Sequence, residues 1–206
     1  QNCNARLQTA AAGPDNPMIS LPFRRNRRDP TIDALYGMIV AQARSASFYR
    51  GYGVPDTLAG RLDMIVLHLV LVLRRLVGEP DGAARIGQQV FDRFCRDIDD
   101  NFREMGVGDL AVPKEMRRVA EAFYGRSKAY ESALASESIN ALEAVVARNV
   151  FGVAEPALGA GRLAAYMREA AERLGDQETA ALVRGELDFP DPERVAPRRL
   201  QARSNP

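Results

Sequence analysis

The sequence contains few of the side chains on which many enzymes and structural metal sites depend. Its 206 residues include one histidine, two cysteines and no tryptophan. One imidazole and two thiols are too few ligands for a standard structural zinc site, and Cys3 and Cys95 provide no disulfide framework. No serine or cysteine nucleophile lies near His68 in the sequence, so a catalytic triad is unsupported. These shortages argue against nucleophilic catalysis and favour a reducing compartment.

An excess of one charge and long hydrophobic runs are also missing. The 28 basic and 27 acidic residues leave a net charge of +1, so no overall positive field attracts nucleic acid or anionic lipid. The longest apolar run, residues 64–73, is half of the roughly 20 residues that a bilayer-crossing helix needs. Arg61, Asp63, Arg74 and Arg75 lie on either side of this run. We therefore expect it inside a protein core.

The length and the 46% hydrophobic content suit one domain with a sizeable core. Residues 1–28 show no helical period and no apolar run of the kind that a secretory signal has, and we expect a flexible basic N-terminal tail. Residues 29–187 are predicted to form the helical domain. Prolines and arginines return afterwards, which predicts a flexible C-terminal tail over residues 188–206.

Apolar residues recur at steps of three and four, which predicts a single all-α domain of six or seven helices. The first helix is expected to begin at Asp29-Pro30 and to run to about Tyr49. Residues 61–77 are predicted to form a central helix that is apolar on every side because neighbouring helices surround it. A strand is rejected here because no other segment offers a partner strand. The lone histidine in this helix is expected to be a core residue with a hydrogen bond to a backbone carbonyl or a carboxylate.

Residues 91–134 are predicted to form two amphipathic helices joined by a short loop. The apolar stripe of the first helix consists of Phe91, Phe94, Cys95, Ile98, Phe102 and Met105. Gly106 and Pro113 are typical of a helix end and of a following helix start. The stripe of the second helix consists of Met116, Val119, Ala120, Phe123, Ser127, Tyr130 and Leu134. Both opposite faces carry a dense mixture of acidic and basic side chains.

Two stretches of this sequence resemble a known family. Residues 61–76 and 92–126, and above all D-L-A-V-P-K at 109–114 and A-E-A-F-Y-G-R at 120–126, are similar to the ubiquinol–cytochrome c chaperone family. The resemblance extends over about residues 35–150. It implies a non-enzymatic assembly factor for the cytochrome bc1 complex, with newly made cytochrome b as its client and with no cofactor or metal.

The same resemblance implies where and with which partners the protein works. Subunits of the bc1 complex are the expected partners, with ribosome contact and peripheral membrane contact as further expectations and no specific nucleic acid. For a bacterial chain the resemblance implies a cytoplasmic location at the periphery of the inner membrane. For a eukaryotic chain it implies the matrix side of the mitochondrion.

The resemblance also implies a working surface on the outer faces of the two helices. The residues that it implies are Asp109, Lys114, Arg117, Arg118, Tyr124, Gly125 and Arg126. Asp97, Asp100, Arg103 and Tyr130 from the same two helices complete the candidate protein-binding set. We expect a groove beside these helices to accept an apolar client helix.

Two other classes of function remain open at this point. Asp97 and Asp100 are three residues apart and could share a helix face, as the magnesium-binding aspartates of all-helical prenyl or diphosphate enzymes do. No second aspartate-rich segment is present, however, and neighbouring arginines could pair with these acids. A ribosome or RNA adaptor could use Arg117, Arg118 and Arg126, whose guanidinium groups match phosphate. Interleaved acidic residues weaken that alternative, because nonspecific nucleic-acid binding depends on uncompensated positive charge.

Overall fold

The computed structural model describes residues 29–77, 79, 81–136, 138–153 and 158–195, and this part of the chain is helical with no strand. Its helices are, in chain order, α1 (Pro30–Ala43), α2 (Ala46–Arg50), α3 (Leu58–Leu76), α4 (Asp81–Glu104), α5 (Val112–Ala135), α6 (Ile139–Val146), α7 (Leu158–Asp176) and α8 (Thr179–Val183). A π-helical turn, Ala147–Phe151, continues α6. The all-α prediction is confirmed. The predicted N-terminal tail lies outside the described residues.

Helix α3 is the centre of the domain, as the sequence predicted. Every residue from Met64 to Leu73 is buried, and α3 contacts α1, α4, α5 and α7. Burial of each large apolar side chain contributes about 1.5–3 kcal/mol, so this helix is a main source of stability. The Thr57 side chain accepts a hydrogen bond from the Gly60 N–H and caps the helix. Among the described residues, no helix combines the length and the apolar content that crossing a bilayer requires.

The first helix ends earlier than the sequence predicted. The Asp29 side chain caps it by accepting from the Thr31 N–H at 3.0 Å, but α1 ends at Ala43 and non-helical backbone at Ser45 separates it from α2. The hydroxyl of Tyr49 donates to the Ala43 carbonyl at 2.8 Å, which satisfies a carbonyl group that the helix end leaves unpaired. The prediction of one helix to Tyr49 is therefore wrong.

The lone histidine is a core residue, as expected. His68 Nδ1 lies 2.8 Å from the Met64 carbonyl and Nε2 lies 2.9 Å from the Tyr166 hydroxyl. A carbonyl only accepts, so Nδ1 carries the proton and Nε2 accepts from Tyr166. Burial lowers the pKa of His68 to about 4. The imidazole is therefore neutral near pH 7 and holds α3 against α7.

The chain beyond α8 is packed against the core, contrary to the prediction of a flexible tail from residue 188. We call residues 187–195 the C-terminal strap. Val195 is buried, the Phe189 ring lies 5.4 Å from the His68 ring, and the Tyr52 hydroxyl donates to the Pro192 carbonyl at 2.6 Å. These apolar and polar contacts fix the strap. The expectation is thus wrong for residues 188–195, and residues 196–206 lie outside the described part.

Candidate protein-interaction surface

Helices α4 and α5 form the predicted hairpin, and aromatic packing holds them together. The Phe123 ring lies 4.8 Å from the Phe91 ring and 6.1 Å from the Phe94 ring. Cys95 beside them is a buried, free thiol, and burial raises its pKa to about 12. The apolar stripes therefore pack inside the hairpin, and the charged faces that the sequence analysis singled out point away from it.

The turn between the two helices is set by its backbone. The Val107 N–H donates to the Phe102 carbonyl and the Gly106 N–H donates to the Arg103 carbonyl, both at 3.0 Å. This pair of bonds is a Schellman motif, which requires a left-handed residue at Gly106, whose φ is 80°. Pro113 then lies in the first turn of α5. The turn is closed by backbone hydrogen bonds and does not depend on the burial of its side chains.

Two apolar side chains project from this turn. Leu110 is 98% exposed and Met105 is 55% exposed. The prediction that Met105 continues the buried stripe is wrong, because the Schellman motif ends α4 at Glu104. A single exposed leucine is common in proteins, but here two large apolar side chains share one short turn. We call residues 103–118 the hairpin tip.

Charged side chains surround these apolar residues. Arg103 contacts Asp99 at 2.7 Å and also pairs with Asp109, and Arg118 contacts Glu115 at 2.7 Å. Exposed ion pairs contribute only about 0–1 kcal/mol each, so they orient these side chains more than they stabilise the fold.

Lys114 and Arg117 are exposed and form no ion pair with the described residues. The hairpin tip therefore presents two uncompensated positive charges beside an apolar projection. Five of the candidate residues come together here, namely Arg103, Asp109, Lys114, Arg117 and Arg118.

Asp97 and Asp100 lie apart from the tip, in a groove of about 620 Å³ between α1 and α4. Asp97 accepts a hydrogen bond from the Tyr36 hydroxyl at 2.9 Å and lies 3.5 Å from Arg93. Burial, reinforced by the Asp97 carboxylate, raises the pKa of Tyr36 well above its usual value. Because Asp97 already has two partners, it is poorly placed to hold a magnesium ion. Within the described residues, no three potential metal ligands come together.

The lining of this groove differs from that of the apolar client groove expected beside the hairpin. Its walls carry mainly aspartate and arginine side chains from α1 and α4. An apolar helix gains little from such a surface, because the charged groups would lose hydration without gaining partners. Among the described residues of the hairpin, the most exposed large apolar side chain, Leu110, lies at its tip and not in this groove.

The remaining candidate residues lie along the body of α5. Arg126 contacts Asp63 of α3 at 2.7 Å, with 26% and 14% of the two side chains exposed. Burial raises the pKa of Asp63 even though Arg126 opposes the shift. Tyr124 is half-buried, with its ring 6.4 Å from that of Phe91. Arg126 and Tyr124 therefore connect α5 to the core.

Tyr130 does not belong to a contact surface. It is fully buried, because its place on the apolar stripe of α5 directs it towards the interior, so its inclusion in the candidate set is corrected. Gly125, in contrast to Tyr130, is not packed against other described residues. It is exposed in the middle of α5, and a Cβ at this position would meet no atom within 4 Å. The packing of this chain therefore does not require a glycine there.

Two features of the structure were not predicted from the sequence. The first is the exposure of Leu110, for which the signal is an apolar side chain in the loop between Gly108 and Pro113. The C-terminal strap gave no signal, because its partners come from distant parts of the sequence.

The described residues form a helical domain whose α4–α5 hairpin exposes apolar and charged side chains at its tip. Comparison with known proteins identifies its relatives. Residues 50–189, about two thirds of the chain, match the family model described as ubiquinol-cytochrome C chaperone. The crystal structure of the Cbp3 homolog from Brucella abortus is similar, with a TM-score of 0.75, 35% sequence identity, and coverage of 81% of this chain and 92% of that one. No curated protein matches significantly.

The chain belongs to the ubiquinol–cytochrome c chaperone family. It is thus an assembly chaperone of the cytochrome bc1 complex, as the resemblance of residues 61–76 and 92–126 implied.

Proposed function

We propose that this chain acts without catalysis, by binding newly made cytochrome b through the hairpin tip while the bc1 complex is assembled. The observation that carries the proposal is the exposure of Leu110 in the turn of the α4–α5 hairpin, which backbone hydrogen bonds close. An apolar side chain that a turn holds in water contributes no burial free energy to folding. Binding of a partner would remove it from water, and that transfer is favourable. Apolar segments of a nascent membrane protein present the matching surface.

The charges of the tip support a role in orienting such a client. Lys114 and Arg117 have no ion-pair partner among the described residues, so they can meet acidic side chains or the carbonyl end of a client helix. Arg103 and Arg118 keep their acidic neighbours close. Mixed charges around an apolar contact set orientation and association rate more than affinity.

Gly125 extends the proposed surface along α5. A glycine in a helix interior costs about 1 kcal/mol relative to alanine, and neither steric contact nor a positive φ requires it here. The absence of a side chain makes this part of α5 flat, which allows close approach of a partner. We include Gly125 in the contact surface for this reason.

The proposal assigns the contact to the inner face of the membrane into which cytochrome b is inserted. A ribosome contact through Lys114, Arg117 and Arg118 is a further candidate partner interaction. Binding to ribosomes should fall steeply between about 50 and 200 mM salt if phosphate contacts carry it. Binding to a cytochrome b segment through Leu110 should be far less sensitive to salt.

The main experiment compares two charge insertions at exposed apolar positions. Leu110→Asp at the tip should abolish co-purification of cytochrome b and lower the level of bc1 complex in cells that carry only the variant. Val183→Asp is the matched control, since Val183 is also exposed and apolar but lies on α8. Equal bc1 levels and equal recovery of cytochrome b with both variants would refute a role for the tip.

A thermal-shift experiment tests the proposal that the chain is not an enzyme of the diphosphate class. Magnesium with diphosphate should leave the melting temperature unchanged, because a ligand raises it only by binding the folded state. A rise in the melting temperature that disappears in Asp97→Asn would instead support the magnesium-dependent alternative.

A further inference from the structure

The C-terminal strap is held in the way that a bound peptide is held. Side chains of the helical body donate to its carbonyl oxygens at every second residue. Gln177 Nε2 donates to the Asp188 carbonyl at 2.6 Å, Gln42 Nε2 donates to the Pro190 carbonyl at 3.0 Å, and the Tyr52 hydroxyl donates to the Pro192 carbonyl at 2.6 Å. A period of two is the repeat of extended backbone. Residues 188–191 contain no helix or turn, and the turn at 192–194, closed by the Arg194 N–H donating to the Asp191 carbonyl at 3.1 Å, follows them.

The groove that makes these contacts is preorganised by its own hydrogen bonds. Gln42 donates to the Tyr166 hydroxyl at 3.0 Å as well as to the strap. Tyr166 in turn donates to Nε2 of His68. Both protons of the Gln42 amide are therefore used, and the one that points to the strap is oriented by a network whose other members, His68 and Tyr166, are fully buried. Such a network fixes the donor before any peptide arrives.

The strap itself carries features that another polypeptide segment could reproduce. Its two buried prolines have no N–H to satisfy, which suits an extended peptide lying on a surface that mostly donates. The Phe189 ring packs edge-on against His68, and Arg173 lies 2.7 Å from the Asp188 carboxylate. The groove thus contacts an acid, an aromatic ring and two prolines, which occur in residues 188–192 in the order Asp-Phe-Pro-Asp-Pro.

We propose that this groove is a second polypeptide-binding site, which takes an extended acidic–aromatic–Pro–x–Pro segment of a partner, and that the strap is its built-in competitor. Aromatic-lined grooves that read extended proline-containing peptides are a recurring mode of recognition. Here the occupant is covalently attached, so its effective concentration is on the order of millimolar. A partner segment therefore enters only when the strap is released. The site shares no residue with the hairpin tip and does not depend on the function proposed for the tip.

The test uses a fluorescent peptide with the sequence of residues 186–195 and the full-length chain. In the first variant, Phe189→Ser and Val195→Ser weaken the strap and leave every groove residue intact. The peptide should bind this variant at least about tenfold more tightly than the wild type, because the internal competitor is weakened. A matched peptide that carries serine in place of the phenylalanine should bind about tenfold more weakly than the parent peptide.

Further variants separate the groove from the strap. In the strap-weakened chain, Tyr52→Phe removes the donor to the Pro192 carbonyl and should weaken peptide binding about three- to tenfold. Asp188→Ala in the otherwise unchanged chain removes only an exposed ion pair, so it keeps the fold and should raise peptide affinity about twofold. Leu110→Asp should not change peptide binding, so this proposal and that for the tip fail independently.

The proposal is overturned if the peptide binds the wild type and the strap variants equally, or if the parent and serine peptides bind equally. Absence of binding to Asp188→Ala at millimolar peptide, with an intact circular dichroism spectrum, would also overturn it. In either case the strap would be a fixed part of the fold.

Discussion

The surroundings of His68 and the hairpin tip differ in how far their side chains are buried. Around His68, aromatic and polar side chains are buried, and Tyr166 and Gln42 complete an unbroken chain of hydrogen bonds. At the hairpin tip, Leu110 and the surrounding charges face solvent. Packing and satisfied buried hydrogen bonds determine stability, whereas exposed groups contribute little. The difference separates a region that holds the fold together from a region that is free to bind.

The largest expected effect comes from truncating the same residue type in the two regions. Leu69→Ala in α3 removes a fully buried side chain and should lower the free energy of unfolding by about 2–5 kcal/mol. Leu110→Ala should change it by less than about 0.5 kcal/mol. Urea denaturation followed by circular dichroism measures both. Similar losses for the two variants would remove the distinction between core and tip.

The next effect is a pH dependence that belongs to the buried region. Burial lowers the pKa of His68 from 6.5 to about 4, so between these values the unfolded chain binds a proton that the folded chain does not. The free energy of unfolding should therefore fall as the pH drops through this window, by roughly 3 kcal/mol in total. Below pH 4 the loss from this group is complete.

The control is the pH profile of His68→Gln. Asp63 acts in the opposite sense, since its raised pKa favours the protonated carboxyl in the folded state. The difference between the wild-type and variant profiles therefore isolates the histidine. Parallel profiles between pH 4 and 6.5 would contradict a neutral, buried imidazole.

A smaller effect is expected where the body of α5 meets the core. Arg126→Ala leaves the Asp63 carboxylate largely buried without its partner and should lower the free energy of unfolding by about 2 kcal/mol. Adding Asp63→Asn should recover part of this loss, because an amide is cheaper to bury than a charge. Thermal denaturation of the two single variants and the double variant measures the coupling. If the effects of the two single variants simply add in the double variant, Arg126 and Asp63 are not coupled and Arg126 behaves as an exposed surface residue.

The smallest expected effect is an increase in stability, at Gly125 on the exposed face of α5. Gly125→Ala should raise the free energy of unfolding by about 0.5–1 kcal/mol, because the glycine is exposed within α5 and has room for a Cβ. The same variant should weaken recovery of cytochrome b if this flat surface contacts the client. If Gly125→Ala is more stable and still recovers cytochrome b fully, the client does not contact α5 at Gly125 and the proposed surface is limited to the hairpin tip.

The sequence was sufficient for the parts of the fold that follow from local periodicity. The run from Met64 to Leu73 predicted the buried helix, and the stripe from Phe91 to Ile98 predicted the hairpin face that packs inside. Met105 follows the same spacing yet lies outside, because Gly106 ends the helix before the stripe can continue. Periodicity alone cannot locate a helix end to within one turn.

The missed parts depend on contacts between distant residues. The strap shows no helical period in its sequence, and two of its three donors, Gln42 and Tyr52, are 148 and 140 residues away from the carbonyl groups that they contact. For the site, the family resemblance indicated most residues of the tip, since mixed-charge helix faces look alike whether they bind a partner or only face solvent. Tyr130 was a wrong candidate, because its place on the apolar stripe of α5 already predicts an inward side chain.

The most direct test of the central claim is site-specific crosslinking in cells that assemble the bc1 complex. A photo-crosslinking amino acid in place of Leu110 should give a covalent product with cytochrome b during assembly, whereas the same amino acid in place of Val183 should not. Crosslinks to cytochrome b from position 183 and none from position 110 would contradict the assignment of client binding to the hairpin tip.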